Sequence, residues 1–284
     1  MSVVNSIFRA NLFRGKVAIV TGGGTGIGKA ITQELLHLGA KVIIASRNEE
    51  VLCASAEAMT IDIPDSVVKA VRCNIREESQ VENLMKIALK EFGRIDYLVN
   101  NGGGQFVCDV ADMKSKGWKA VIDTNLNGTF NCCQQVYQQW MKDHGGSIVN
   151  IIATVRNGFP RFAHTGAARA GVNNLTKTLA LEWAKDGIRI NCVAPGPIYS
   201  TTAAANYERY NLKVFEEAKK YIPAKRCGTP EEVSSAVCFL LSPAAAFING
   251  STIDIDGAYG LYGVMFEIPE HKNSEPFTWS KSHL

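Results

Sequence analysis

Apolar residues along the chain fall into short unbroken runs that alternate with segments where they recur every three to four positions. The first run, Val17-Ala18-Ile19-Val20, leads into the cluster Gly22-Gly23-Gly24-Thr25-Gly26-Ile27-Gly28. Beyond it, Ile27, Ile31, Leu35 and Leu38 repeat at helical spacing. Unbroken runs suit strands buried on both faces, and the three-to-four repeat suits a helix that buries one stripe. The alternation predicts strands at 41–46, 67–73, 96–100, 147–152, 188–193 and 252–255. Between them it predicts helices at 49–60 and 78–92, one long helix at 115–141, and another at 166–185. Strands alternating with helices specify an α/β fold, a single doubly wound parallel sheet whose ligand crevice lies at the strands' carboxyl ends. With no repeat or linker, one domain at 13–258 is expected, between an extension at 1–12 and a tail at 259–284.

The glycine cluster has the chemistry of a dinucleotide cradle. Gly22 can take positive φ in the tight turn, Gly26 keeps no Cβ between backbone and pyrophosphate, and Gly28 lets the helix lie close to its strand. Gly22, Gly24, Thr25, Gly26, Ile27 and Gly28 would then present phosphates to the open N–H groups of the helix. Ser46-Arg47 after the second strand offers a hydroxyl and a planar cation where an acid would repel a 2′-phosphate, so NADP(H) is favoured over NAD(H). Asn74 and Ile75 fall beside the adenine, and Asn101, Gly102 and Gly103 pass close to the cofactor. Pro195, Gly196 and Ile198 offer backbone to the nicotinamide carboxamide.

Composition narrows the field. A formal net charge of +3 without a dense basic run gives no nucleic-acid footprint, and no apolar run approaches the ~20 residues of a membrane span. The eight cysteines are scattered, without Cys-x-x-Cys, so no metal site is expected, and the thiols read as small hydrophobes in a soluble intracellular protein.

The motif Thr21-Gly22-x-x-x-Gly26-x-Gly28, with Asn74, Asn100 and Asn125 in this order, resembles the short-chain dehydrogenase/reductase family over residues 13 to 258. The resemblance implies a one-domain Rossmann fold, a nicotinamide cofactor and a homotetramer. The chain departs from the family at its catalytic centre. Where the family has Tyr-x-x-x-Lys, this chain has Thr165 and Arg169, and no tyrosine lies between Tyr137 and Tyr199. The register four residues before Lys177 holds Asn173, and the serine expected after the fifth strand is replaced in Ile152-Ala153-Thr154.

That departure suits a different electron demand. Ketone reduction leaves an alkoxide that needs an acid at once. Reduction of a double bond conjugated to a thioester leaves an enolate, whose oxygen needs fixed donors; the proton reaches carbon later, with water a candidate source. Thr154, Thr165, Gln105 and Arg169 can supply donors, and Asn125 can hold a relay water or brace its helix. Arg169 cannot titrate as a base, but it can hold the nicotinamide ribose and keep the site positive. His164 is a second proton-donor candidate, although a histidine there more commonly packs or caps.

Substitutions of this kind resemble the enoyl-CoA and dienoyl-CoA reductase branches of the family. The segments 100–106, 164–171 and 222–226 are most similar to the peroxisomal enoyl-CoA branch. They imply NADPH-dependent saturation of the 2,3 double bond of trans-2-enoyl-CoA in fatty-acid elongation. A 2,4-dienoyl-CoA substrate fits the same residues, and a cofactor-binding protein without catalysis is the reading from another class. The stretch 200–221, rich in polar and aromatic residues, reads as a lid, with Arg156, Arg161, Arg209 and Lys213 as candidates for the CoA diphosphate. Ser282-His283-Leu284 resembles a peroxisomal address read by an import receptor, at the end of a tail expected to be exposed from Glu267.

Overall fold

The computed structural model describes residues 4–155, 158–208, 213–261 and 270–279. Seven parallel strands form one sheet in the order β3-β2-β1-β4-β5-β6-β7. They are β1 (Val17–Thr21), β2 (Lys41–Ser46), β3 (Val67–Arg72), β4 (Tyr97–Asn100), β5 (Gly146–Ile151), β6 (Ile188–Pro195) and β7 (Thr252–Ile255). Successive side chains of β1 point to opposite faces: Ala18 and Val20 join one core cluster, and Ile19 joins the other. The first cluster lies under α1 (Gly26–His37) and α2 (Glu49–Asp62), the second under α3 (Glu78–Phe92). Strands buried on both faces account for their unbroken apolar runs. The chain winds outward from β1 to β3 and then returns to β4 on the other side of β1, which opens a crevice at the strand ends.

The expected helix at 115–141 is interrupted twice. It comprises α4 (Ser115–Ile122), a π-turn at Asp123–Asn127, α5 (Gly128–Val136), a second π-turn at Tyr137–Met141, and the single turn α6 (Lys142–His144). A π-turn inserts an extra residue and rotates the side chains that follow. Here it carries Asn125, which the helix would otherwise aim elsewhere. After β5 come α7 (Ala163–Trp183), and then two short helices in the segment expected as a lid, α8 (Thr201–Glu208) and α9 (Val214–Tyr221).

The hydrophobic pattern passed over α10 (Pro230–Leu241), whose start is written plainly in Thr229-Pro230-Glu231-Glu232. Thr229 and Glu232 form a capping box, with proline at the first helical position. The expectation of an exposed tail holds at 270–273 and is corrected for 274–279, where the chain packs back onto the fold. Arg226 donates from Nε to the Ser274 carbonyl at 3.1 Å, and Thr229 Oγ1 donates to the Phe277 carbonyl at 2.9 Å. Trp279 is buried with the α1–α10 core. The polar letters hid two aromatic anchors, Phe277 and Trp279. The terminal tripeptide lies outside the described residues.

Candidate active site

The glycine turn is braced from two sides. Asn101 Nδ2 donates to the carbonyls of Thr21 (3.0 Å) and Gly22 (3.2 Å), and Ser55 Oγ of α2 donates to that of Gly24 (2.9 Å). Gly22 and Gly26 have φ of +65° and +51°, and a Cβ on Gly28 would overlap the Gly22 carbonyl and the Asn101 amide. Thr25 is extended and exposed, and its side chain makes no capping bond, so the first N–H groups of α1 stay open to an anion. Asn101, expected at the cofactor, therefore holds the turn in shape.

Ser46 and the exposed Arg47 stand at the end of β2, with no acidic side chain between Ser46 and Asn48. Asn48 caps α2 by accepting from Val51 N at 3.1 Å. Asn74 accepts from the Arg76 N–H at 3.4 Å, and Ile75 is buried against Gly102 and Gly128. At the end of β6, Gly196 N donates to Ile255 O at 3.0 Å. Gly228 N bonds Pro197 O, and Tyr199 N bonds Gly228 O. That pairing uses the residues on either side of Ile198 and leaves the N–H and C=O of Ile198 itself for another partner.

The catalytic candidates converge on the loop after β4. Asn125, fully buried, accepts from Gly104 N at 2.9 Å. Through Nδ2 it donates to Gly104 O at 3.0 Å and to Thr165 Oγ1 at 2.9 Å. Thr165 thus spends a lone pair there and not its proton. Arg169, one helical turn on, donates to Ile151 O, and its guanidinium lies where a Cβ on Gly103 would fall. Burial pushes its pKa down to about 10, which leaves it charged at neutral pH. No carboxylate pairs with it among the described residues.

Other candidates are placed differently. Gln105 Nε2 donates to the Tyr207 hydroxyl of α8 at 2.6 Å. Thr154 Oγ1 faces Ala194 O and Asp256 Oδ2, both at 3.3 Å. His164 is fully buried, edge-on to Phe106 with ring centroids 4.3 Å apart. Its Nδ1 accepts from Thr165 N at 2.7 Å, which puts the ring proton on Nε2, an atom without a hydrogen bond among the described residues. Burial, opposed by the Phe162 and Phe106 backbone, lowers its pKa, so it stays neutral. Arg161 pairs with Asp109 and Lys213 with Glu216, each at 3.5 Å, while Arg156 and Arg209 lie outside the described residues. The sequence puts Tyr207 in the segment expected as a lid but does not pair it with Gln105, because nothing local ties it to a loop about a hundred positions earlier.

Comparison with known proteins fits this geometry. The model of a family described as enoyl-(acyl carrier protein) reductase matches residues 22–260. A probable 2,4-dienoyl-CoA reductase ((2E)-enoyl-CoA-producing) of Bacillus subtilis is 40% identical over 255 residues, 87% of this chain and 97% of that protein. The peroxisomal 2,4-dienoyl-CoA reductase ((3E)-enoyl-CoA-producing) of Danio rerio is 36% identical, over 90% of this chain and 85% of its own. The solved structure of a citronellol catabolism dehydrogenase from Pseudomonas aeruginosa superposes with a TM-score of 0.80 at 42% identity, covering 90% of this chain and 99% of that one. These relatives correct the expected 2-enoyl-CoA substrate, since the curated ones carry the dienoyl name. The residues could not separate the two, because either reduction leaves its charge on the same thioester oxygen. By its glycine turn, its sheet order and these matches, the chain belongs to the short-chain dehydrogenase/reductase family.

Proposed function

We propose that the protein is an NADPH-dependent 2,4-dienoyl-CoA reductase. The observation that carries this reading is the Asn125–Thr165–Arg169 arrangement: neutral donors and a cation without a carboxylate partner among the described residues, with no phenol in the family's usual place. The names of the relatives support the dienoyl substrate over the shorter conjugated one.

The chain's residues fit the cofactor. The open start of α1 suits the pyrophosphate, and Arg47 suits a 2′-phosphate. The backbone N–H and C=O of Ile198, unbonded among the described residues, suit the carboxamide, and Arg169 suits the nicotinamide ribose. Bound there, NADPH supplies the hydride. Once the far end of the diene is reduced, negative charge spreads to the thioester oxygen. The Thr165 hydroxyl proton and the Arg169 field stabilise that oxygen, and Asn125 holds Thr165 in place before charge develops. The rings of Phe159, Phe162, Tyr199, Tyr207 and Phe215, packed tilted or edge-on in neighbouring pairs 5.0–6.3 Å apart, offer an apolar wall for the acyl chain.

The test is NADPH oxidation with 2,4-dienoyl-, trans-2-enoyl- and 3-ketoacyl-CoA. The dienoyl ester is expected to turn over fastest and the ketone not at all. Faster turnover of the 2-enoyl ester or the ketone rejects the reading, and NADPH binding without any turnover favours a non-catalytic binding protein. The Danio rerio relative is named peroxisomal, and with Ser282-His283-Leu284 this supports import into peroxisomes through the import receptor. Removing those three residues is expected to leave a fluorescent fusion in the cytosol.

A further inference from the structure

Tyr207 is the tyrosine whose hydroxyl the fold brings to this site, although it belongs to α8 and stands far from the family's usual position. Its Oη meets Gln105 Nε2 at 2.6 Å. Gln105 directly follows Gly104, which Asn125 grips by both N–H and C=O, and the same Asn125 amide bonds Thr165. The Tyr207 ring packs edge-on to Phe162, the residue that opens α7, at 6.3 Å, and to Phe215 of α9 at 5.8 Å. The phenol therefore bridges the β4 loop and the start of α7, and it is linked to the Thr165 hydroxyl through Gln105, Gly104 and Asn125. In the Gln105 bond the phenol oxygen accepts, so its own proton remains available.

Resting on the dienoyl-CoA reading, we propose that Tyr207 is the acid that protonates C2 of the substrate and so directs the reaction to a 3-enoyl-CoA product. Hydride forms a C–H bond at C5, the C4=C5 electrons move to C3=C4, and the C2=C3 electrons move to C1=C2, with the negative charge on the thioester oxygen. The Tyr207 O–H bond then breaks, a C–H bond forms at C2, and the C1=O bond is restored. The double bond stays at C3=C4. The phenolate oxygen keeps the bond from the Gln105 amide and regains a proton from water. A proton delivered instead at C4 would leave the double bond at C2=C3. The matched relatives differ at this choice, one being named a 2E producer and the other a 3E producer. An acid beside the thioester end is nearer C2, which fixes the outcome proposed here.

Two experiments decide it. In D2O the wild-type enzyme is expected to give 3-enoyl-CoA with deuterium at C2 in a single configuration; deuterium in both configurations there, or a 2-enoyl product, overturns the assignment. Tyr207→Phe keeps the ring and removes only the hydroxyl. It is expected to bind NADPH as the wild type does, by fluorescence titration, and to lose at least tenfold in kcat with KM within threefold. Its product is expected to drift toward a mixture of 2- and 3-enoyl-CoA as water replaces the phenol. A kcat within threefold of wild type, a loss confined to KM, or an unchanged product ratio overturns the proposal. A wild type inactive on 2,4-dienoyl-CoA rejects the substrate reading and this assignment together, whereas an active wild type with an indifferent Tyr207→Phe rejects the assignment alone.

Discussion

Arg169 is a half-buried cation whose nearest charge-neutralising partner among the described residues is a backbone carbonyl, that of Ile151. Leaving a guanidinium desolvated without a carboxylate costs stability, which is reasonable where an anion arrives during the reaction. Arg169→Ala is expected to lower kcat on 2,4-dienoyl-CoA by about 10²–10³, the range for losing a preorganised donor, and steady-state kinetics checks it. Thr165→Ala is expected to lose less, because Asn125 can turn its freed amide toward the substrate. At this scale the sequence spoke clearly about Thr165 and Arg169, whose four-residue spacing on one helix places them together. It put Tyr207 in the lid segment without its partner, because a contact across 102 positions leaves no local pattern. It named Asn125 without its partners, since the π-turn that aims it has no signature in the letters.

Among the elements, the strands were legible to within a residue or two because continuous burial writes itself as continuous hydrophobicity. The start of α10 is written in its capping box, although the apolar pattern alone passed over it. The strap at 270–279 was hidden, since two aromatics in a polar run give no period. It is nonetheless fastened to the capping box itself: Phe277 N donates to Glu232 Oε1, and Arg226 pairs with Glu232 at 2.6 Å. Trp279→Ala is expected to destabilise the fold by about 3 kcal/mol, the range for truncating a buried aromatic. Urea denaturation monitored by circular dichroism measures it; a change below about 0.5 kcal/mol would show that the strap is not part of the cooperative unit.

For the molecule as a whole, charge governs both cofactor choice and response to pH. Arg47→Asp is expected to raise the Kd for NADPH at least tenfold while leaving NADH binding little changed or improved, read by fluorescence titration. Asp96 and Glu232 both have lowered pKa values. Burial opposes the shift in each, but Arg94, the Val17 N–H and Lys16 outweigh it at Asp96, as Arg226 and the Thr229 N–H do at Glu232. Their contribution is present above the unfolded pKa and is lost as pH falls through the folded one. Glu34 runs the other way. Burial raises its pKa above 4.5 despite hydrogen bonds from Ser234 and Ser6, so its contribution is full below the unfolded pKa and declines as pH rises through the folded value. Glu34→Gln keeps an acceptor for one serine, offers an N–H donor to the hydroxyl oxygen of the other, and removes the titration. It is expected to shrink the fall in Tm between pH 5 and pH 8, measured by calorimetry.

The amide of Asn101 and the hydroxyl of Ser55 hold the carbonyls of the glycine turn with the chain's own groups. Entry of the dinucleotide then needs little freezing of backbone, so its calorimetric signature is that of docking to a finished mould. The heat-capacity change is expected to track only the surface covered. Asn101→Ala would turn the same event into coupled ordering, with a larger heat-capacity change and a more unfavourable entropy.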